Sequence, residues 1–371
     1  MIHIIIGTKA QLIKMAPVMV RLQEKGIPYN FILTGQHRET IRDLRENFSI
    51  KSPDVILHSG GDIVSVPSML VWLLKISLKA LFSKTSIFQG NRRKNSIILI
   101  HGDTFSTLLG AVMGRIAGFK VVHVESGLRS FDLWNPFPEE LTRIITFWLS
   151  DIYLCPGQWA VDNLKKFKGI KINTEHNTLL DALNLALQAK QSSVVIPDKP
   201  YCIATIHRFE NLCSRSALER NISLIEKVAR HVRVVFILHP VTDRKLIHFN
   251  LKERLKSHPS IELHSRYDYF TFIHLLDRSA FLVSDGGSNQ EESFYLGKPC
   301  LLLRKTTERT EGVGDNVVIS HYDEDRVMKF VKNYNQYQTS PVRKYPSPSD
   351  MIVTYLTDGD LPEQGRHRAW H

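Results

Sequence analysis

Cysteine is scarce in this chain of 371 residues: four in all, Cys155, Cys202, Cys213 and Cys300, far apart and with no CxxC pair. That spacing argues against a zinc site or a disulfide framework and fits reduced thiols in a cytosol. Missing too is any run of about 20 uninterrupted apolar residues, the length that crosses a bilayer. The opening MIHIIIGTK carries no basic segment ahead of its apolar run, so it reads as a buried strand and not as a signal peptide. No internal repeat of short period occurs.

Acid is in deficit. Asp and Glu number 37 against 48 Lys and Arg, a net charge of +11. Such an excess favours anionic partners: phosphorylated small molecules, nucleic acid or an acidic membrane surface. The bases are dispersed, however, and NRRK at 91–94 is the one tight cluster, so an ordinary solvated surface is the simpler reading and no nucleic-acid partner is expected. MLVWLLKISLKALF (69–82) comes nearest to a membrane segment, but Lys75 and Lys79 interrupt it one helical turn apart. It is expected to be a core-packed helix, with a peripheral membrane or partner contact as the alternative.

What is present in abundance is alternation. Short β-branched runs at 2–7, 29–35, 96–103, 120–126 and 151–157 are separated by helical patterns at 12–26, 67–84, 104–118 and 139–150. A polar, proline-containing stretch at 191–201 suits a linker. The rhythm then restarts with strand-like runs at 202–207, 233–240, 260–265, 280–287 and 298–305. Strand–helix–strand alternation at this spacing predicts doubly wound parallel sheets. The expected fold is therefore α/β, two Rossmann-like domains facing a cleft: residues 1–190, then 199–345, with 346–371 a return helix and a frayed tail.

Open parallel sheets bind ligands outside the carboxyl ends of their strands. Polar clusters fall at those ends: GTK (7–9), HGDT (101–104), HVESG (123–127), IHRFEN (206–211), HP (239–240) and SDGGSNQEE (284–292). In the last of these, Gly286, Gly287 and Ser288 at a helix start would expose N–H groups to a diphosphate, and Glu291 or Glu292 could accept from ribose hydroxyls. A plain strand–turn–helix junction with a Ser cap explains it equally, since neither GxGxxG nor GxxxxGK[ST] accompanies it. Asp103, Glu125, Glu139 and His207 are the candidates for acid–base work. The simpler readings are that Asp103 caps the helix at 104–118 and that Glu139 and Glu140 merely begin a helix after Pro138.

HGDT, HVESGLR, PFPEE, HRFEN, SDGGSNQEE, LGKP and TTER, in this order, resemble the UDP-N-acetylglucosamine 2-epimerase family, from about Gly7 to Val318. The resemblance implies the two-domain fold called GT-B, an active site in the interdomain cleft, no metal and no cofactor, and a homodimer. It implies inversion of C2 of the sugar, most simply UDP-GlcNAc to UDP-ManNAc, by UDP elimination to a 2-acetamidoglucal and re-addition. Asp103, Glu125 and Glu139 would supply carboxylate roles, with His207 beside the phosphates or the sugar. Lys9, Lys14, Arg208, His239, Gly286, Gly287, Ser288 and Glu292 would hold UDP. A hydrolysing 2-epimerase or a UDP-sugar-dependent glycosyltransferase of the same fold are the alternatives. The chain departs from the family at GTKAQ, where GTRPE is usual, so that Lys9 and Gln11 replace Arg and Glu. Lys lacks the planar fork of Arg. It departs again at GGS for SGG, at His176 before Asn177 for Gly, and at Phe209 where members with an activating site read HRREN; Gln36 and His239 keep the family's residues.

Overall fold

The computed structural model describes all residues except 36–40, 59–70, 73, 77, 79–81, 90–95, 134–137, 190–196, 198–199, 343–345 and 360–371. The NRRK cluster, Gln36, the tail and most of the linker lie outside the described residues. The chain divides into two compact units, Met1–Leu185 with Pro346–His371, and Ala186–Tyr345.

The first unit is built on β1 (Ile2–Ile6), β2 (Tyr29–Leu33), β3 (Val55–Ile56), β4 (Ile97–His101), β5 (Lys120–Val124), β6 (Ile152–Cys155) and β7 (Ile170–Asn173). They pair in parallel in the order β3-β2-β1-β4-β5-β6-β7. All five residues of β1 are buried, as a strand covered by helices on both faces must be. The order reverses between β1 and β4, and that switch point opens a crevice at the strands' carboxyl ends. The helix Pro348–Asp358 packs on Lys9–Glu24. An Arg21–Asp350 ion pair (3.0 Å) and a hydrogen bond from Ser349 N–H to Asp181 Oδ2 (2.8 Å) tie it down.

The second unit repeats the scheme with β8 (Tyr201–Thr205), β9 (Arg233–Leu238), β10 (Ile261–Ser265), β11 (Leu282–Ser284), β12 (Cys300–Leu302) and β13 (Val317–Ile319). Their order is β10-β9-β8-β11-β12-β13, again parallel, with the switch point between β8 and β11. Its core gathers Phe236, Phe281 and Phe330 with the aliphatic faces of the flanking helices.

Among the described residues of 69–82, Trp72 and Ile76 enter the core beside Phe88 and Phe105 as a core-packed helix would have them, while Val71, Leu74, Leu78 and Phe82 are exposed. No helix among the described residues is long and apolar enough to cross a membrane. Cys155, Cys202 and Cys300 are buried and unbridged, and burial pushes the Cys155 and Cys300 thiols up to about 12.

Candidate active site

The first turn after β1 is organised by Gln11. Thr8 caps the helix Lys9–Glu24, its hydroxyl accepting from Gln11 N–H (3.3 Å), while Gln11 Oε1 accepts from Gly7 N–H (2.9 Å) and Thr8 N–H (3.1 Å). Its Nε2 donates to the His101 carbonyl (2.7 Å) and to Thr107 Oγ1 (2.9 Å). A glutamate, the family's usual residue here, has no such donor, so the Gln at 11 has its own physical reason. It joins the loop after β1 to the loop after β4.

Two turns of chemistry follow from that anchor. Lys14, one helical turn on from Ala10, is buried and its Nζ meets Glu125 Oε1 at 2.5 Å. Asn177 Nδ2 donates to the same oxygen (2.7 Å), and His101 Nε2 lies 3.3 Å from Oε2. Glu125 itself takes a left-handed backbone, φ 57°, immediately after β5. That conformation is unfavourable for a residue with a Cβ and persists only where its surroundings hold it. Gly127 makes the turn possible: at φ +95°, a Cβ there would come within 2.3 Å of the Ala160 carbonyl oxygen.

Asp103 does not cap the following helix. Thr104 does, in a reciprocal pair with Thr107, and this leaves the Asp103 carboxylate to Arg143, whose Nε (2.9 Å) and Nη2 (2.6 Å) both donate to Oδ2. Arg143 also reaches Glu140 Oε2 (3.1 Å), which accepts from Ser130 N–H (3.0 Å), while Arg129 pairs with Oε1. Burial would raise the Glu140 carboxyl, but the Ser130 N–H and the two guanidiniums more than reverse it and hold it below its ordinary value. Glu139 and Glu140 do open the helix Glu139–Leu149 beyond Pro138. Thr142 Oγ1 draws the backbone of Asp103 (2.6 Å) and of Glu139 (2.8 Å) together. Asp103 and Glu125 thus lie just beyond β4 and β5, and Glu139 at the start of the helix Glu139–Leu149, all in one unit.

His101 and His123 are buried and held neutral. Burial brings His101 down to about 4 against the pull of Glu125, and His123 likewise to about 4 although it hydrogen-bonds the Gly102 carbonyl (2.7 Å).

In the second unit the organiser is Asp285, wholly buried after β11. Its carboxylate accepts from the N–H groups of His207 (3.0 Å) and Arg208 (2.9 Å) and from Asn211 Nδ2 (2.9 Å), and lies 3.2 Å from His207 Nδ1. Arg208 pairs with Glu210 (2.8 Å) and reaches Glu308 (3.5 Å), which Arg304 also holds (2.8 Å). Burial opposes ionisation of Glu308, yet Arg304 and Arg208 bring it down to about 2. The helix Gly287–Leu296 begins at Gly286 with no side-chain cap, so its first N–H groups are open; Ser288 lies inside the first turn and is not the cap. Glu291 is committed to Arg309 (2.8 Å), and Glu292 accepts from Asn289 Nδ2 (2.8 Å). His239 caps Pro240–His248 through Nδ1 and lies 5.7 Å, ring to ring, from His207. Lys9 is half-buried in the first turn after Thr8.

Residues that the sequence did not single out are the partners: His101, Arg129, Glu140, Arg143, Asn177, Asn211, Asp285, Arg304, Glu308 and Arg309. Arg143 carried the clearest signal, one turn past Glu139 on the same helix. Among the described residues no three His, Cys, Asp or Glu side chains are grouped as a cation's ligands would be.

Residues 21–350 match the sequence pattern of the UDP-N-acetylglucosamine 2-epimerase family. The chain belongs to that family. Among its relatives, the UDP-N-acetylglucosamine 2-epimerase of Methanocaldococcus jannaschii is 31% identical, over 96% of this chain and 99% of that one. The Bacillus subtilis enzyme of the same name is 30% identical over 88% and 85%. Solved structures agree: UDP-GlcNAc 2-epimerase from Neisseria meningitidis bound to UDP-GlcNAc has TM-score 0.79 at 26% identity, covering 96% of this chain and 99% of that one. The M. jannaschii enzyme in complex with UDP-GlcNAc and UDP has TM-score 0.77 at 26% identity and the same coverage. As a family member the chain is an epimerase with two parallel α/β sheets of the GT-B type.

Proposed function

We propose that this family member inverts C2 of UDP-GlcNAc to give UDP-ManNAc without hydrolysis. A base takes the C2 proton, the C1–O bond breaks, and UDP departs with its electron pair to leave a 2-acetamidoglucal. UDP then adds back to C1 while a proton reaches C2 from the opposite face. Two faces call for two acid–base groups. The observation that carries this reading is a pair of carboxylates at the ends of adjacent strands, each fixed by its own cation: Asp103 by Arg143 and Glu125 by Lys14. Fixed charges of this kind need no reorganisation at the moment of reaction. Glu139 and His207 complete the acid–base set. Lys9, Lys14, Arg208, His239, Gly286, Gly287, Ser288 and Glu292 hold UDP, the open N-terminus of Gly287–Leu296 facing the diphosphate. The bound UDP-GlcNAc and UDP of the relatives favour this substrate.

Incubation of UDP-GlcNAc in deuterated water tests the reading. It calls for deuterium at C2 in both sugar nucleotides. Free ManNAc with UDP would instead assign a hydrolysing enzyme, and unlabelled substrate with folded protein would remove the assignment.

The enzyme acts in the cytoplasm as a homodimer and feeds cell-surface polysaccharide synthesis. The exposed Val71, Leu74, Leu78 and Phe82, spaced along one helical face, support self-association. Sedimentation of Leu78→Ser/Phe82→Ser should shift to monomer; flotation of the parent protein with lipid vesicles would give that stripe to a membrane.

A further inference from the structure

We propose that Asp285 is a positioning residue that fixes which nitrogen of His207 carries the proton, and that Gly286 is the space its ring needs. The wholly buried Asp285 carboxylate accepts from backbone N–H groups of His207 and Arg208 and from Asn211 Nδ2. Every donor around it is an N–H, so it is a hydrogen-bond acceptor on all sides. Its Oδ1 lies 3.2 Å from His207 Nδ1. A neutral imidazole this close to such an acceptor is favoured with its proton on Nδ1, which leaves a bare lone pair on Nε2. The ring is 38% exposed, and none of the described residues engages Nε2.

Gly286 enforces the placement. A Cβ there would stand 2.6 Å from His207 Cε1, 3.3 Å from Nε2 and 2.7 Å from Asn289 Oδ1. Its backbone, φ −86°, suits any residue, so the contacts with the ring and with Asn289 are what oppose a side chain there. Nε2 thereby lies beside the open first turn of Gly287–Leu296.

A lone pair cannot receive a phosphate oxygen; it receives a hydroxyl or an amide N–H. The helix N-terminus and the unprotonated Nε2 therefore divide the ligand, diphosphate to the former and a hydrogen-bond donor of the sugar to the latter. This assignment of His207 to the sugar rests on the proposed epimerase reading; the tautomer does not.

The ring is read by ¹⁵N NMR of imidazole-labelled protein at pH 8, with His207→Gln identifying the signal. The parent protein should show the Nδ1–H tautomer. Asp285→Asn places an amide N–H opposite Nδ1 and should invert the ring to Nε2–H, as amide substitution does in other carboxylate–imidazole pairs. Gly286→Ala should displace the ring and lose the single tautomer. Asp285→Asn should lower kcat for UDP-GlcNAc by about a hundredfold, a larger loss than any in affinity for UDP, which the carboxylate's bond from Arg208 N–H also touches. An Nε2–H tautomer in the parent overturns the proposal even if neither variant folds. Equal loss of UDP and UDP-GlcNAc affinity, or an inverted ring with unchanged kcat, overturns the division of the ligand. A parent with the Nδ1–H tautomer but no turnover of UDP-GlcNAc would sink the epimerase reading and leave the Asp285–His207 relation standing.

Discussion

The two sheets carry their candidate residues at the same address, beyond the strands that flank each switch point, yet hold them in opposite ways. After β4 and β5 each charge is countered by a buried charge: Lys14 on Glu125, and Arg143 on Asp103 and Glu140. After β8 and β11 the buried acid spends its oxygens on N–H donors, and the groups it positions, His207 and Arg208, keep 38% and 24% of their side chains exposed. Locked ion pairs suit a reaction that needs charges already in place. Partly exposed groups, Arg208 still paired with Glu210 and Glu308, suit a ligand that arrives and leaves. On the proposed function, the same sheet topology serves two tasks through the choice of partner.

Exchanging one residue from each side should separate those tasks. Glu125→Gln keeps the shape but removes the charge, and kcat should fall by about a thousandfold, within the range of general acid–base groups. It also breaks a buried ion pair by removing one charge, which costs about 3–5 kcal/mol. Lys14→Met/Glu125→Gln should recover much of that stability and none of the activity. Arg208→Ala in the other unit should raise KM by about tenfold with kcat nearly unchanged. If both variants moved kcat and KM alike, the contrast between the units would be gone. Initial rates and urea denaturation measure all three.

Acid should soften the units in different pH windows. His3, His101 and His123, all in the first unit, are brought from 6.5 to about 4, chiefly by burial. The unfolded chain therefore binds protons that the folded one refuses, so stability is full above pH 6.5 and is lost as pH falls toward 4. The slope is about 1.4 kcal/mol per pH unit for each histidine, a total of a few kcal/mol each. Glu308 in the second unit goes the other way in range: ordinary at 4.5 and held at about 2, it contributes stability above 4.5 that is lost only between 4.5 and 2. Hydrogen exchange at pH 7 and pH 5, corrected for intrinsic rates, should show β1, β4 and β5 losing protection while β8 and β11 keep theirs. Uniform loss would contradict this.

What could be read beforehand follows the same divide between covered and uncovered chain. Central strands such as IHIII and YCIAT announce themselves because both faces are buried and nearly every residue is apolar. The strands that went unread, β3, β7 and β13, are all sheet edges. IKIN in β7 is half exposed and alternates with polar residues, and two residues of β3 make no pattern at all. At the sites, HGDT, HVESG and SDGG were visible because strand ends concentrate polarity. Asn177 and Arg143 were not, and Asp285, although inside SDGG, showed no role of its own, since the meaning of all three lies in contacts 52, 40 and 78 residues away. Among the described residues of 69–82, nothing in the sequence separates the buried Trp72 and Ile76 from the exposed Leu74 and Leu78.

The smallest expected effect tests a residue whose reason emerged only from its contacts. Gln11→Glu restores the family's usual acid, and by resemblance alone it should be harmless. In this chain the side chain is 2% exposed. One end accepts from Gly7 and Thr8, and the other donates to the His101 carbonyl and Thr107 Oγ1. A carboxylate keeps the first pair of bonds and turns the second into oxygen against oxygen. Thr107 can rotate to donate to it only by abandoning its own bond to the same carbonyl (2.6 Å). The loss should be about 1–3 kcal/mol, seen as an earlier urea midpoint at pH 8. Because a protonated carboxyl regains a donor, the deficit relative to the parent should narrow as pH is lowered toward 5. An unchanged midpoint at pH 8 would mean that the loop after β4 can move away from Gln11 freely, and that the fixed geometry around Glu125 does not depend on it.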